Sequence, residues 1–276
     1  MSPPSGSLAS LHAGGLAAAL VLLAGDPHQK DPRTMRVEVP GTTLEVELVS
    51  LALQDSAPLW MSRTEVTWDL YDAFTYELDG VQEAAARAGL DAISRPSKPY
   101  IAMDRGFGHA GYPAIGISHH GAKTFCRWLG AKTERSFRLP REEELLLAAR
   151  STLSSDAGSG LQGRAWCREN SGRQTHPVAT RQADELGLFD LLGNAAEWCL
   201  GEDGRPLVFG GSYLDPAEAL LRLERVPDDP AWNSSDPQIP KSEWWLADAT
   251  FVGFRVVCEP RPEPRPENGP SPPQQD

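Results

Sequence analysis

Residues 187–199 read GLFDLLGNAAEWC. Two carboxylates, Asp190 and Glu197, flank Gly193-Asn194, and small Ala195 and Ala196 follow at once. Glycine and asparagine both tolerate backbone angles that other residues avoid. The stretch therefore reads as a tight turn, with Asn194 holding it, set between apolar runs.

Working outward, helical spacing alternates with turn signals. Upstream, RLPREEELLLAAR (138–150) predicts a helix, with Pro140 near its start where a missing N–H costs nothing. Glu142, Glu143 and Glu144 fill its first turn and complement the helix dipole. Arg141 stands where an N-cap oxygen would be worth roughly 1 kcal/mol. ISHHGAKTFCRWLG (117–130) places Ala122, Phe125, Cys126 and Leu129 on one face, with Gly130 as a candidate C-cap. EVTWDLYDAF lies in a third helical stretch, Thr64 to Leu78. Met35 to Leu53 alternates apolar and polar residues around Pro40-Gly41, a hairpin signal. Val81 to Pro99 reads as a second short helix or an inserted loop, and residues 151–163 as a Ser/Gly-rich surface loop. Downstream come short strands and turns, GGSY (210–213), and GFRVV (253–257) as a final buried strand.

Composition sets the outer bounds. The chain has 276 residues, with 26 Lys plus Arg against 38 Asp plus Glu, a formal net charge of −12. Such a balance argues against nucleic acid, whose binders need basic residues to neutralise phosphates. With 25 Gly, 24 Pro and 8 Trp, the chain predicts a loop-rich α+β fold rather than a helix bundle. Residues 1–25 carry no charged side chain and form an apolar leader, too short for a stable membrane span. That leader implies export to the periplasm, envelope or exterior. Translation from Met35 would instead leave the protein cytoplasmic. The expected globular domain covers residues 34–259, and 260–276 form a Pro-rich, solvated tail. Four cysteines, Cys126, Cys167, Cys199 and Cys258, permit two disulfides, and no CxxC pair points to structural zinc. Neighbouring His119 and His120 do not share a helix face, so with His109 and His176 they read as surface or packing residues rather than metal ligands.

Taken in order, the segments 65–74, 117–130, 138–150, 187–199, 210–213 and 253–257 resemble the formylglycine-generating enzyme family, also called the sulfatase-modifying-factor family. The resemblance spans nearly all of residues 36–258. It implies a variant of the C-type-lectin-like fold, low in regular secondary structure and stabilised by calcium. It also implies an activity: oxidation of a cysteine in a CxPxR motif of sulfatases, using copper, oxygen and two active-site cysteines. Asp215 and Leu220 stand at those two positions, and Phe209 replaces the family's arginine before GGS. Neither a carboxylate nor an aliphatic side chain can hold copper(I) or run thiol redox chemistry. The expectation is a non-oxidase, bacterial-type pseudoenzyme: a binding or accessory module with no assigned catalytic residue and no copper. The alternative is a formylglycine-generating oxidase with displaced cysteines, or another oxidative enzyme of the family.

The resemblance further places Asp190, Gly193, Ala195 and Glu197 on a calcium site, a choice that suits calcium's preference for hard oxygens. Only Asn170 falls near the family's first calcium site. The resemblance also implies a Cys126–Cys258 disulfide, leaving Cys167 and Cys199 as the other pair. Trp128, Trp166 and Trp198 are expected in the core. Pro227 to Ala249 occupies the region where lectin-like folds display variable loops. Ser212, Asp215, Arg225, Trp244 and Trp245 are the candidates for a groove that takes a protein, peptide or glycan. Trp244 and Trp245 also suit a core-capping role, and Asn233-Ser234-Ser235 fits a glycosylation acceptor.

Overall fold

A computed structural model describes residues 33–51, 59–80, 90, 92–154 and 160–260. The apolar leader, most of the tail and most of the 81–91 segment lie outside the described residues. The chain divides into a unit of residues 1–31 and a unit of residues 32–276, and only the second is described.

The unit is mixed α+β with little regular secondary structure, as expected. A five-stranded antiparallel sheet has the order β1-β2-β3-β9-β4, from β1 (Thr34–Glu38), β2 (Glu45–Leu51), β3 (Leu59–Ser62), β4 (Phe137–Arg138) and β9 (Val257–Cys258). A four-stranded sheet has the order β7-β6-β5-β8. It comprises β5 (Ala196–Leu200), β6 (Pro206–Phe209), β7 (Val226–Pro227) and β8 (Val252–Gly253), with β5 and β8 parallel. The predicted hairpin is β1–β2, pairing Thr34 with Val49 through Glu38 with Glu45. Its turn needs Gly41 for two reasons. The residue has φ +83°, and a Cβ there would meet the Asp79 carbonyl oxygen at 1.8 Å.

Helix α1 (Trp68–Thr75) is shorter than the predicted 64–78 stretch because its start is pinned in a β-bridge between Thr67 and Pro113. Helix α2 (His119–Thr133) starts at Ser118, whose hydroxyl accepts from the Gly121 amide at 3.0 Å. It does not end at Gly130. The helix runs through that residue to Glu134, which takes the left-handed conformation at φ 52°. Gly130 serves a close approach instead, since a Cβ there would lie 2.8 Å from the Arg135 carbonyl oxygen. Helix α3 (Glu142–Ser154) keeps half of a capping box: Glu144 accepts from the Arg141 amide at 2.7 Å. The same carboxylate pairs with Arg138 through two bonds of 2.8 and 2.7 Å.

One aromatic-rich core contains Tyr71, Phe74, Phe125, Trp128, Trp198 and Phe254, all essentially without exposed surface. A second contains Met61, Leu145, Leu191, Phe209 and Leu220. Each such side chain contributes roughly 1.5–3 kcal/mol by leaving water. Trp166 departs from the expected core role. It is half-buried, stacked on His176 at 3.6 Å and covered on its other side by the Arg181 guanidinium.

Two further expectations are corrected. GFRVV is not one strand: β8 and β9 belong to different sheets, and Phe254-Arg255-Val256 cross between them. All four cysteines are buried and outside any disulfide, so neither expected disulfide is formed. Cys126 and Cys258 pack in the first core and Cys167 and Cys199 in the second, each as a small hydrophobe. Among the described residues no helix is long and apolar enough to cross a membrane.

Candidate functional site

The 187–199 stretch builds a buried charged cluster. Asp190 and Asn194 both have positive φ, 53° and 50°, and the turn between them carries Gly193 at φ 84°. Asn194 is fully buried and engaged at both ends. Its Oδ1 accepts from the His176 amide at 2.9 Å, and its Nδ2 donates to Glu65 and to the His176 carbonyl. The turn role expected of Asn194 therefore has a physical basis in hydrogen bonds to chain segments distant in sequence, at His176 and Glu65.

Arg255 sits at the centre, with no exposed surface. Its Nε and Nη2 donate to the two oxygens of Glu197 at 2.6 Å each, while Nη1 and Nη2 reach the carbonyls of Ser62 and Phe189 at 3.1 and 2.9 Å. Glu65 is buried beside them, accepting from the Ala195 amide at 3.2 Å. Asp190 accepts from the Ala179 amide through Oδ2 at 2.8 Å, and its Oδ1 is buried without a hydrogen-bond partner. Three carboxylates thus face one guanidinium. Burial, reinforced by the charges of Asp190 and Glu197, holds the Glu65 carboxyl well above the usual range. Burial also pushes Asp190 up to about 6, against the pull of the Ala179 amide and Arg255.

Calcium takes six to eight oxygens at about 2.3–2.6 Å. The expected set does not fit that shell, because both Glu197 oxygens are committed to Arg255. Asp190 can offer only Oδ1, and among the described residues no three His, Cys, Asp or Glu side chains converge to hold a metal ion. Asn170 is likewise occupied. Its Oδ1 accepts from the Cys167 amide and its Nδ2 donates to the Gln162 and Ala165 carbonyls.

A cavity of about 250 Å³ opens where the GGS segment leaves β6. Its walls include Gly211, Asp215, Leu220, Glu224, Trp232 and Phe251. Gly211 lets the chain turn at φ 64°, and a Cβ there would strike Leu220 at 2.4 Å. Ser212 is buried and fixes Asp215, donating to its Oδ2 from both amide and hydroxyl at 2.8 and 3.0 Å. Leu220 ends α4 (Ala217–Leu220), one short turn after Pro216. Trp232 comes from a 3-10 turn at Pro230–Asn233 and packs edge-on against Phe251 at 5.6 Å and on Trp198 at 5.7 Å.

Only part of the expected groove gathers here. Asp215 lines the cavity and Ser212 supports it. Arg225 instead pairs with Glu142 on α3. Trp244 and Trp245 are core residues, 7% and 4% exposed. The Trp245 indole donates to the Ser97 carbonyl at 2.8 Å, and its ring packs edge-on against Tyr71. Trp232 and Phe251 take the wall positions that the sequence reading gave to the tryptophan pair. Trp232 differs from that pair in following Asp229-Pro230, which starts the turn that presents it. Asn233 is also spoken for: its amide group bonds Asp236, the Ser242 carbonyl and the Ala247 amide.

The histidines pack individually. His119 packs edge-on against Trp198, and burial pushes its pKa down to about 4. His120 packs against Trp244. His109 stacks on Trp68 and bridges Asp72 at 2.8 Å and Asp104 at 3.1 Å. Burial lowers its pKa, but those two carboxylates outweigh it and leave the imidazole raised.

Residues 24–260 match the family model described as the sulfatase-modifying factor enzyme 1-like domain. The serine/threonine-protein kinase pkn1 of Chlamydia caviae is 31% identical over 100 residues, which is 33% of this chain and 14% of that protein. The chaperone protein LppX of Paenibacillus barcinonensis is 52% identical over 31 residues, 11% of each chain. The chain thus spans a small fraction of the length of these relatives. Among solved structures, Treponema denticola variable protein 1 superposes with a TM-score of 0.56 at 19% identity, covering 83% of this chain and all of that one. That likeness bears on the fold alone.

Proposed function

We propose that this chain, which belongs to the sulfatase-modifying factor enzyme 1-like family, is a non-oxidase binding or accessory module. The observation that carries this reading is the cavity beside the GGS segment. Asp215 and Leu220, the positions where the family's enzymes keep their cysteines, form part of its wall. A carboxylate and an isobutyl group supply no soft ligand for copper(I) and no thiol to cycle. All four thiols of the chain are buried within the two cores. Burial pushes those of Cys126 and Cys199 far up, so neither is a ready thiolate.

What the cavity keeps is a shaped, aromatic-walled recess with a fixed carboxylate, the ordinary makings of a binding site. The partner in this reading is a protein, peptide or glycan. The likeness of one region of the kinase pkn1 to part of this chain supports a module that works inside larger systems. In the same reading the leader at residues 1–25 carries the module out of the cytoplasm. Calcium is given no role, because Glu197 is committed to Arg255.

The test is a peptide and glycan array probed with the full chain and with Leu220→Trp, a substitution that fills the recess. Binding to specific members, lost in the variant, is the expected result. An array with no specific binders, or binding that Leu220→Trp leaves intact, contradicts a ligand site in this cavity.

A further inference from the structure

We infer that the cavity beside Asp215 accepts one basic side chain, a lysine or arginine of a partner protein; the inference rests on the binding-module reading above. Two properties of the walls select this occupant. Two lining residues, Asp215 and Glu224, are acidic and none is basic, while Leu220, Val226, Trp232 and Phe251 line an apolar interior. That arrangement suits an aliphatic stem ending in a cation, which buries its methylenes and keeps its charge against oxygen.

The carboxylate is also prepared. Ser212 anchors one Asp215 oxygen through two hydrogen bonds, and the Asp215 carbonyl accepts from the Arg168 amide at 2.8 Å. Little orientational freedom is left to lose on binding. Glu224 pairs with Arg222 only at 3.6 Å, with both side chains more than 60% exposed. Such pairs are worth little, so the Glu224 carboxylate stays available to an incoming cation. Trp232 offers the best ring for a cation–π contact. Size decides against a sugar chain: about 250 Å³ is below the roughly 300–1,000 Å³ of pockets that enclose drug-sized ligands, and suits one side chain. The formal net charge of −12 favours a basic partner over an acidic one.

The experiment is calorimetric titration of the full chain, at low salt, with blocked tripeptides Gly-X-Gly. X is lysine, arginine, norleucine or glutamate. Lysine and arginine peptides are expected to bind at least about tenfold more tightly than norleucine, the size of effect one charge-assisted contact supplies. Asp215→Asn should bring lysine close to norleucine and leave norleucine unchanged. Leu220→Trp should abolish binding of all four. Val226→Arg places a competing cation at a wall position already 45% exposed, and gives a second variant whose folding is not at issue. It should weaken the lysine peptide about tenfold or more. Equal affinity for lysine and norleucine, no saturation with any basic peptide, or lysine binding indifferent to Val226→Arg overturns the inference. Array binders with no basic residue, still lost in Leu220→Trp, would sink this inference while leaving the module reading standing. Oxidation of a CxPxR cysteine by the chain would sink the reading itself.

Discussion

Replacing Arg255 with methionine should be far more damaging than replacing its partner Glu197 with glutamine. The guanidinium faces Glu65, Asp190 and Glu197, so with every group ionised the cluster carries two net negative charges. Arg255→Met raises the excess to three in a place with no exposed surface, and removes donors from the Ser62 and Phe189 carbonyls. Breaking a buried pair from one side typically costs about 3–5 kcal/mol, because it leaves charge uncompensated. For a domain of this size that corresponds to a drop in Tm of roughly 6–20 °C. Glu197→Gln lowers the excess to one and keeps an amide oxygen facing Arg255, so it should cost less than about 2 kcal/mol. Urea unfolding followed by tryptophan fluorescence measures both. The Arg255→Met deficit should also shrink at pH 5, where the buried carboxyls can take up protons. A Glu197→Gln variant as unstable as Arg255→Met would refute the charge reasoning, as would an Arg255→Met variant that loses less than about 1 kcal/mol.

The buried carboxylates also set the pH dependence. Because burial raises Asp190 to about 6, its stabilising contribution is complete below its unfolded pKa of roughly 4 and is lost as pH rises through 6. Glu65 and Glu197, also raised by burial, act in the same direction. Asp190→Asn should therefore flatten the fall of Tm between pH 4.5 and 6.5, and an unchanged slope would disprove the assignment. Excess calcium or a chelator should leave the Tm of the wild type unchanged at pH 7. A rise with calcium would return Asp190 and its neighbours to a ligand role. Asn194→Ala should cost roughly 2–4 kcal/mol in urea unfolding, since it puts alanine at φ 50° and strips the His176 and Glu65 contacts. A loss under about 1 kcal/mol would show that the turn does not depend on this side chain.

What the sequence disclosed divides along physical lines. Local periodicity exposed the β1–β2 hairpin and helices α2 and α3, because alternation and 3.6-residue spacing are properties of single segments. Gly130 misled as a C-cap because its reason lies elsewhere, in the Arg135 carbonyl that returns against it. GFRVV looked like one buried strand because apolar spacing does not reveal a crossing between sheets. The clue was the arginine inside it, which could be buried only with a partner, and Glu197 is that partner. The carboxylates at 190 and 197 looked like calcium ligands for the same reason: their spacing was visible and Arg255, 58 positions beyond Glu197, was not. Asp215 and Leu220 were recognisable as cavity positions only through the ordered family segments. Trp244 and Trp245 were separated from Trp232 by tertiary packing, and in the sequence only by the Asp229-Pro230 turn start that precedes Trp232.

The most direct test of a binding role without oxidase chemistry uses the full chain with copper, oxygen and a CxPxR peptide. The peptide is read by mass spectrometry against a reaction lacking the protein. The cysteine is expected to be recovered without conversion to formylglycine, at every copper concentration. Protein-dependent formation of the aldehyde would contradict the assignment of Asp215 and Leu220 to a recess that binds and does not oxidise.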